Sequence, residues 1–161
     1  MKNKIWNSLG SILWWLLWPL WWFYFKHGGI RSRVLVVCGD EVLLVQGWLG
    51  DKDYSLPGGG TKKGESVQAG AVRELSEETG IKVSESALVQ SGSRMNKDKG
   101  FRYRVRFYTV TLNDKPATVL PKYEIINITW VPLHALQNFK LDSDAQHAIK
   151  RYQPREQASL L

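Results

Sequence analysis

Apolar positions along the chain follow two different patterns. From Ile5 to Phe25 the stretch IWNSLGSILWWLLWPLWWFYF carries no charge and little polarity. A helix over it would be about 31 Å long at 1.5 Å per residue, close to the roughly 30 Å hydrocarbon core of a bilayer. After KHGGIRS, residues 26–32, the apolar runs shorten to strand length. Arg33 to Cys38 and Glu41 to Gln46, separated by Gly39 and Asp40, predict a hairpin. Residues 47–66 hold six glycines and one proline, which predicts a long loop with at most a short strand near Tyr54 to Leu56; loops of that length inside a compact domain are often functional. From Ser66 to Thr79 the period becomes helical, with Ala71, Val72 and Leu75 on one face and Gly80 placed to end the helix in a left-handed conformation. A short strand is expected within Ile81 to Ser91. Strict alternation predicts a longer strand over Phe101 to Leu112, and Glu124 to Val131 predicts another. Asp142 to Gln153 opens with good caps and predicts a C-terminal helix. Helices mixed with strands indicate an α/β or α+β layered domain.

Charge sharpens the division. The chain has 161 residues, room for one domain, and a net charge of +7. Lys2, Lys4, Lys26, Arg31 and Arg33 place five positive charges and no acid in the first 33 residues. The basic excess therefore flanks an apolar segment instead of covering a folded face, and no nucleic-acid partner is expected. Six of the eight tryptophans lie in that segment. Its length fits a single span, whereas its tryptophans and Pro19 fit an in-plane helix; a cleaved signal peptide fits less well, because no small-residue cleavage pattern follows. The expected organisation is a membrane anchor over 1–25, a linker over 26–32, a folded domain over 33–153 and a tail over 154–161. The lone Cys38 excludes an intrachain disulfide, and within RVLVVC it is expected to be a buried structural thiol.

The segment RELSEETG gathers Glu74, Glu77 and Glu78 at i, i+3 and i+4. Like charges at those spacings oppose a helix by roughly 0.2–0.5 kcal/mol per pair. Two readings stay open at this point: a solvated face, or a site for a hard cation such as Mg2+. Around these glutamates the chain reads GGTKKGESVQAGAVRELSEETGI, Gly59 to Ile81. This resembles the Nudix box at every defined position: Gly59, Glu65, Arg73, Glu74, Leu75, Glu77, Glu78, Gly80 and Ile81 stand at its spacing.

That resemblance implies a Nudix-type α/β/α sandwich with a mixed sheet, here preceded by a transmembrane or monotopic helix. It implies a hydrolase of diphosphate linkages that uses Mg2+, with Mn2+ as a substitute. Glu74, Glu77 and Glu78 become the expected metal ligands and catalytic carboxylates, with the carbonyl of Gly58 as a further ligand. Glu65, Arg73 and Gly59 become structural supports, Arg73 pairing with Glu65. Many family members draw another carboxylate from before a Trp-containing strand, and Glu124, ahead of Trp130, is placed for that role as ligand or general base. Arg94, Arg102, Arg104 and Arg106 form a basic run suited to phosphate recognition, to anionic headgroups, or simply to a solvated strand face. Trp48 and Tyr54 are loop aromatics that could stack on a base or pack.

The expected function is a membrane-anchored Mg2+-dependent hydrolase of a nucleoside diphosphate derivative or related X-linked diphosphate. Its alternatives are a hydrolase of an isoprenoid or lipid-linked diphosphate, and a sensor that binds without turnover. The expected partners are a diphosphate small molecule or lipid and the membrane. The expected location is a membrane, with the catalytic domain in the cytoplasm.

Overall fold

The computed structural model describes residues 29–48, 52–98, 101–121 and 124–152. In chain order its strands are β1 Ile30–Cys38, β2 Glu41–Gly47, β3 Tyr54–Ser55, β4 Val89–Asp98, β5 Phe101–Leu112 and β6 Ile125–Pro132, and its α-helices are α1 Val67–Thr79 and α2 Ser143–Arg151. The strands form one mixed sheet in the order β3-β2-β1-β5-β4, with β6 on the other edge of β2.

The hairpin β1–β2 turns through Gly39 and Asp40, with Cys38 opposite Glu41 and Val37 opposite Val42. Gly39 has φ +60°, the positive value that a two-residue hairpin turn requires at its first central position. Beyond those two pairs the strands diverge. β3 takes the free edge of β2 at Val45 and Gln46. The chain then crosses to β1, where Val34 N donates to Pro57 O at 2.8 Å and Ser32 N donates to Gly59 O at 2.8 Å. The glycine loop is thus wedged between two sheet strands, which accounts for the strand signal fading after two residues while the backbone stays paired. On its other side β1 pairs in parallel with β5 from Ile30–Arg104 to Cys38–Leu112.

Alternation along β1 sends its side chains into two cores. Val34 and Val36 meet Ala71 and Leu75 of α1 together with Tyr108 and Val110. Leu35 and Val37 meet Ala145 and Ala148 of α2 together with Val105 and Phe107. Burial on both faces explains why β1 reads as a continuous apolar run, and it yields an α/β/α sandwich. Cys38 is buried and unpaired.

Two expectations change. Residues 81–91 hold a short 3₁₀ turn, Glu85–Ala87, and the strand starts later, at Val89, and runs to Asp98. Its sequence VQSGSRMNKD is polar because β4 is an edge strand: pairing with β5 is carried by the backbone, so apolar alternation is not needed. In addition, β1 begins at Ile30, inside the stretch expected as a linker.

The membrane helix expected over 1–25 lies outside the described residues. Among the described residues no helix is long and apolar enough to cross a membrane. With 13 and 9 residues, α1 and α2 would reach only about 20 Å and 14 Å, short of the roughly 30 Å hydrocarbon core. The fold class is corrected to the α/β/α sandwich that the described residues form, without the transmembrane or monotopic element. The membrane-anchored form of the function, the membrane as a partner, the membrane localisation with its cytoplasmic domain, and the lipid-linked substrate that rested on the anchor have no support among the described residues and are not carried further.

Candidate active site

The site is built on α1, whose ends are fixed locally. Ser66 caps the start, its hydroxyl accepting from Ala69 N at 2.9 Å. Gly80 ends the helix at φ +78°, its N–H bonded to Ser76 O. With Ala71 and Leu75 turned into the core, Glu74, Glu77 and Glu78 are left facing the glycine loop and solvent. Thr79, fully buried, spends its hydroxyl on Leu75 O at 2.6 Å and accepts from Ile81 N at 3.2 Å, which locks the last turn.

Arg73 ties this face together. Its Nε and Nη2 grip Glu65 at 2.9 and 3.1 Å, Nη2 also reaches the Gly60 carbonyl at 2.9 Å, and Nη1 bonds Glu74 at 2.8 Å and Glu77 at 2.9 Å. The fork of Arg73, helped by the Lys62 N–H, holds the Glu65 carboxyl down at about 2. Reciprocally, Glu65 first and then Glu74 and Glu77 push the guanidinium above its ordinary range. A lysine has no planar fork with which to make these contacts.

Glu78 behaves in the opposite sense. Burial pushes its carboxyl up to about 7, and the negative charges of Glu74 and Glu124 add to the rise; the Gly58 N–H, donated to Glu78 Oε2 at 2.8 Å, and the charge of Arg33 work against it. Glu124 stands immediately before β6, its carbonyl accepting from Trp48 N at 3.1 Å. The tertiary fold thus brings Glu124 into the electrostatic neighbourhood of the box glutamates. Backbone spacing matters here as well: a Cβ on Gly59 would lie 2.7 Å from Glu74 Cδ, so the Glu74 carboxylate rests in the space that this glycine leaves open.

Among the described residues no three acidic, histidine or cysteine side chains converge closely enough to hold a metal ion as they stand. Arg73 draws Glu74 and Glu77 to itself while Glu78 turns to Gly58, which accounts for the spread. The donor chemistry nonetheless suits a hard divalent cation: carboxylates and a nearby carbonyl, with the half-buried Glu78 carboxylate disfavoured by desolvation first and by its acidic neighbours second. The Gly58 carbonyl accepts from Arg33 Nη1 at 2.6 Å.

Next to Glu78 opens a cavity of about 300 Å³, whose wall includes Arg33, Lys52, Asp53, Ser55 and Asp142. A larger one, about 400 Å³, lies between β4, β5 and the end of α2 near Phe107, His147 and Tyr152 and contains none of the box residues. Of these two cavities only the smaller adjoins a box glutamate, Glu78. The basic run does not act as a unit. Arg94 is held by Asp144 at 2.7 Å and Ser143 at 2.9 Å. Arg102 and Arg104 are exposed and Arg106 half-buried, on the opposite side of β5 from Val105 and Phe107. Tyr54 packs edge-on against Phe139 and accepts from Asn127 at 2.9 Å, while Trp48 is 54% exposed. Sequence reasoning passed over Arg33, whose signal was a charge on the face of β1 that otherwise carries Leu35 and Val37.

A sequence-family model described as the NUDIX domain matches residues 30–152. The chain belongs to the Nudix family. A curated relative, mRNA-decapping enzyme subunit 2 of Arabidopsis thaliana, is 40% identical over 101 residues, covering 61% of this chain and 26% of the plant protein. This chain thus spans about a quarter of that relative's length. Among solved structures, the NUDIX domain of Shewanella oneidensis NrtR complexed with ADP ribose superposes with a TM-score of 0.70 at 22% identity, covering 80% of this chain and 88% of that one. The MutT NUDIX hydrolase of Burkholderia pseudomallei gives 0.69 at 16% identity, covering 80% and 100%. An Ap4A hydrolase of C. elegans gives 0.64 at 19%, covering 76% and 93%. At these identities the structural likeness establishes that this Nudix chain has the Nudix fold.

Proposed function

We propose that this Nudix protein is a Mg2+-dependent hydrolase that cleaves a diphosphate linkage in a nucleoside diphosphate derivative or related X-linked diphosphate. The observation that carries the reading is the half-buried Glu78 carboxyl, flanked by the charges of Glu74 and Glu124, in the wall of a cavity that also presents Arg33 and Lys52. Glu74, Glu77 and Glu78, with the Gly58 carbonyl, would hold the ion, and Mn2+ suits the same oxygen donors. When bound, Mg2+ supplies neutralisation of diphosphate oxygens and a lowered pKa for water.

The chain's own residues do the rest. Arg73 keeps Glu74 and Glu77 on one side of the helix. Gly58 orients Glu78 through its N–H. Lys52 places positive charge where a diphosphate would enter, while Glu124, immediately before β6, would complete the carboxylate set as ligand or as acceptor of a proton from water. The ADP ribose bound by the Shewanella domain and the Ap4A hydrolysed by the C. elegans enzyme are nucleotides with phosphoanhydride bonds, and they support nucleotide derivatives as the first compounds to assay.

The test is Glu77→Gln. Glu77 is half-exposed, and its partners are Arg73 and Lys62, so the substitution should cost no more than about 1 kcal/mol of stability. Against a panel of nucleoside triphosphates, dinucleoside polyphosphates and nucleotide sugars with Mg2+, turnover should fall at least about 100-fold. Full turnover by this variant would sink the assignment.

A further inference from the structure

Arg33 is a charged residue on a strand face that otherwise builds the core, and its side chain is 19% exposed. Its Nη1 donates to Gly58 O at 2.6 Å and more weakly to Leu56 O at 3.4 Å, while its Nε lies 3.6 Å from Asp144 Oδ2. Asp144, in the first turn of α2, is 4% exposed. Its other oxygen accepts from Arg94 and Asn96, both at 2.7 Å, so β4 holds the carboxylate by hydrogen bonds while Arg33 of β1 meets it only at ion-pair distance. Gly58 is gripped from two directions: Arg33 donates to its carbonyl, and its own N–H donates to Glu78. Its backbone needs that grip, because φ is +143° and the chain passes so close to Ser32 that no side chain fits.

Taking a guanidinium out of water costs several kcal/mol unless its partners compensate, and a leucine or methionine would pack beside Leu35 without that cost. The arrangement therefore needs a reason beyond packing, and the contacts supply one. We infer that Arg33 is a positioning residue: facing the Asp144 carboxylate of the C-terminal helix as an ion pair, with its Nε making no hydrogen bond, it fixes the Gly58 peptide, and Gly58 in turn sets the place of the Glu78 carboxylate. In this way α2, which contributes no box residue, governs the geometry of the box. The activity arm of the test rests on the hydrolase reading; the metal-binding arm does not.

Three variants decide it: Arg33→Met, which keeps length and loses every donor; Arg33→Lys, which keeps one charged donor for Gly58; and Asp144→Asn, which removes the ion-pair partner's charge. Each is checked for folding by thermal melting. Mn2+ binding is then measured by electron paramagnetic resonance of the free ion, and kcat and KM are measured with Mg2+. Loss of a residue that orients a metal ligand typically costs 10–100-fold in affinity or activity, so Arg33→Met should bind Mn2+ about 10–100-fold more weakly. Its kcat should fall by a similar factor with KM within about twofold, the pattern of a lost transition-state arrangement and not of a lost substrate contact. Arg33→Lys should recover most of both, and Asp144→Asn should move both in the same direction by less. Wild-type Mn2+ affinity and kcat in Arg33→Met would overturn the inference, as would a loss confined to KM or to melting temperature. If Arg33→Met does not fold, unchanged affinity and kcat in both other variants overturn it equally. If the wild type cleaves no diphosphate, the hydrolase reading fails while the Mn2+ comparison still judges Arg33.

Discussion

Gly58 and Gly59 are neighbours in sequence, yet alanine at each should damage a different property. At Gly58 a Cβ would lie 2.2 Å from Ser32 O and 2.9 Å from Ser32 C, and the backbone sits at φ +143°. The colliding atoms are main chain, in the pairing of the glycine loop with β1, so relief requires the loop to lift away. Backbone strain of roughly 1–3 kcal/mol together with a weakened Ser32–Gly59 hydrogen bond of roughly 0.5–1.5 kcal/mol gives about 2–4 kcal/mol in all. That corresponds to a melting temperature lower by about 6–12 °C. At Gly59 the Cβ would meet the tip of a side chain instead, 2.7 Å from Glu74 Cδ and 2.8 Å from each of its oxygens. Carbon contacts settle near 3.5–4.0 Å, so the carboxylate should swing away by about 1 Å. The stability cost is that of the contact with Arg73, about 1 kcal/mol. A displacement of that size at a reacting centre can cost about 100-fold in rate. Thermal melting followed by circular dichroism, paired with Mg2+-dependent formation of the two monophosphate products measured by chromatography at matched folded concentration, separates the two effects. A Gly59→Ala protein with undiminished turnover, or a Gly58→Ala protein that melts with the wild type, would refute the reasoning from loop geometry.

The pH dependence of stability in EDTA should carry the signature of Glu78. Its folded-state pKa of about 7 lies above the ordinary 4.5, so between those values the folded protein keeps a proton that the unfolded chain has released. Its contribution is full below pH 4.5 and lost as pH rises through 7, a loss of about 3 kcal/mol. Urea titrations from pH 5 to 8 should show that decline, and Glu78→Gln should flatten it; an unchanged slope in the variant counts against the assignment. Glu65, held at about 2, acts in the reverse sense, its contribution present above pH 4.5 and lost on acidification toward 2. In the core, Leu75→Ala removes a fully buried side chain from the cluster with Val34, Val36 and Tyr108 and should cost about 2–5 kcal/mol by chemical denaturation. A loss under 1 kcal/mol would mean that α1 is not anchored there.

Particular residues show what could be read in one dimension. Ser66, Gly80 and the helical period between them announced α1, and Gly39-Asp40 announced the β1–β2 turn, because caps and tight turns are chemistry between residues a few positions apart. The strand over Phe101 to Leu112 was legible because its first half alternates, Val105 and Phe107 entering a core while Arg102, Arg104 and Arg106 lie on the other side. β4 was not, since an edge strand is held by backbone groups that every residue carries. The separation of Arg94 from Arg102, Arg104 and Arg106 was equally hidden: one close-spaced run in sequence becomes an ion pair with α2 on one side of the sheet and a more solvated set on the other.

Local chemistry in this Nudix protein is written in one dimension: which face of α1 is acidic, where that helix stops, and which residues have the types and spacing of the box. Three-dimensional packing is what brings Glu124 into the electrostatic field of Glu78, wedges the glycine loop between diverging strands, and sets Arg33 beside Asp144 and Gly58. Spacing fixes neighbours along a helix or turn, but contacts between distant segments follow from how the two faces of the sheet are buried. Desolvation raises the Glu78 carboxyl while the Arg73 fork holds Glu65 low, a difference that two glutamates in one motif do not reveal until the fold has set the surroundings of each.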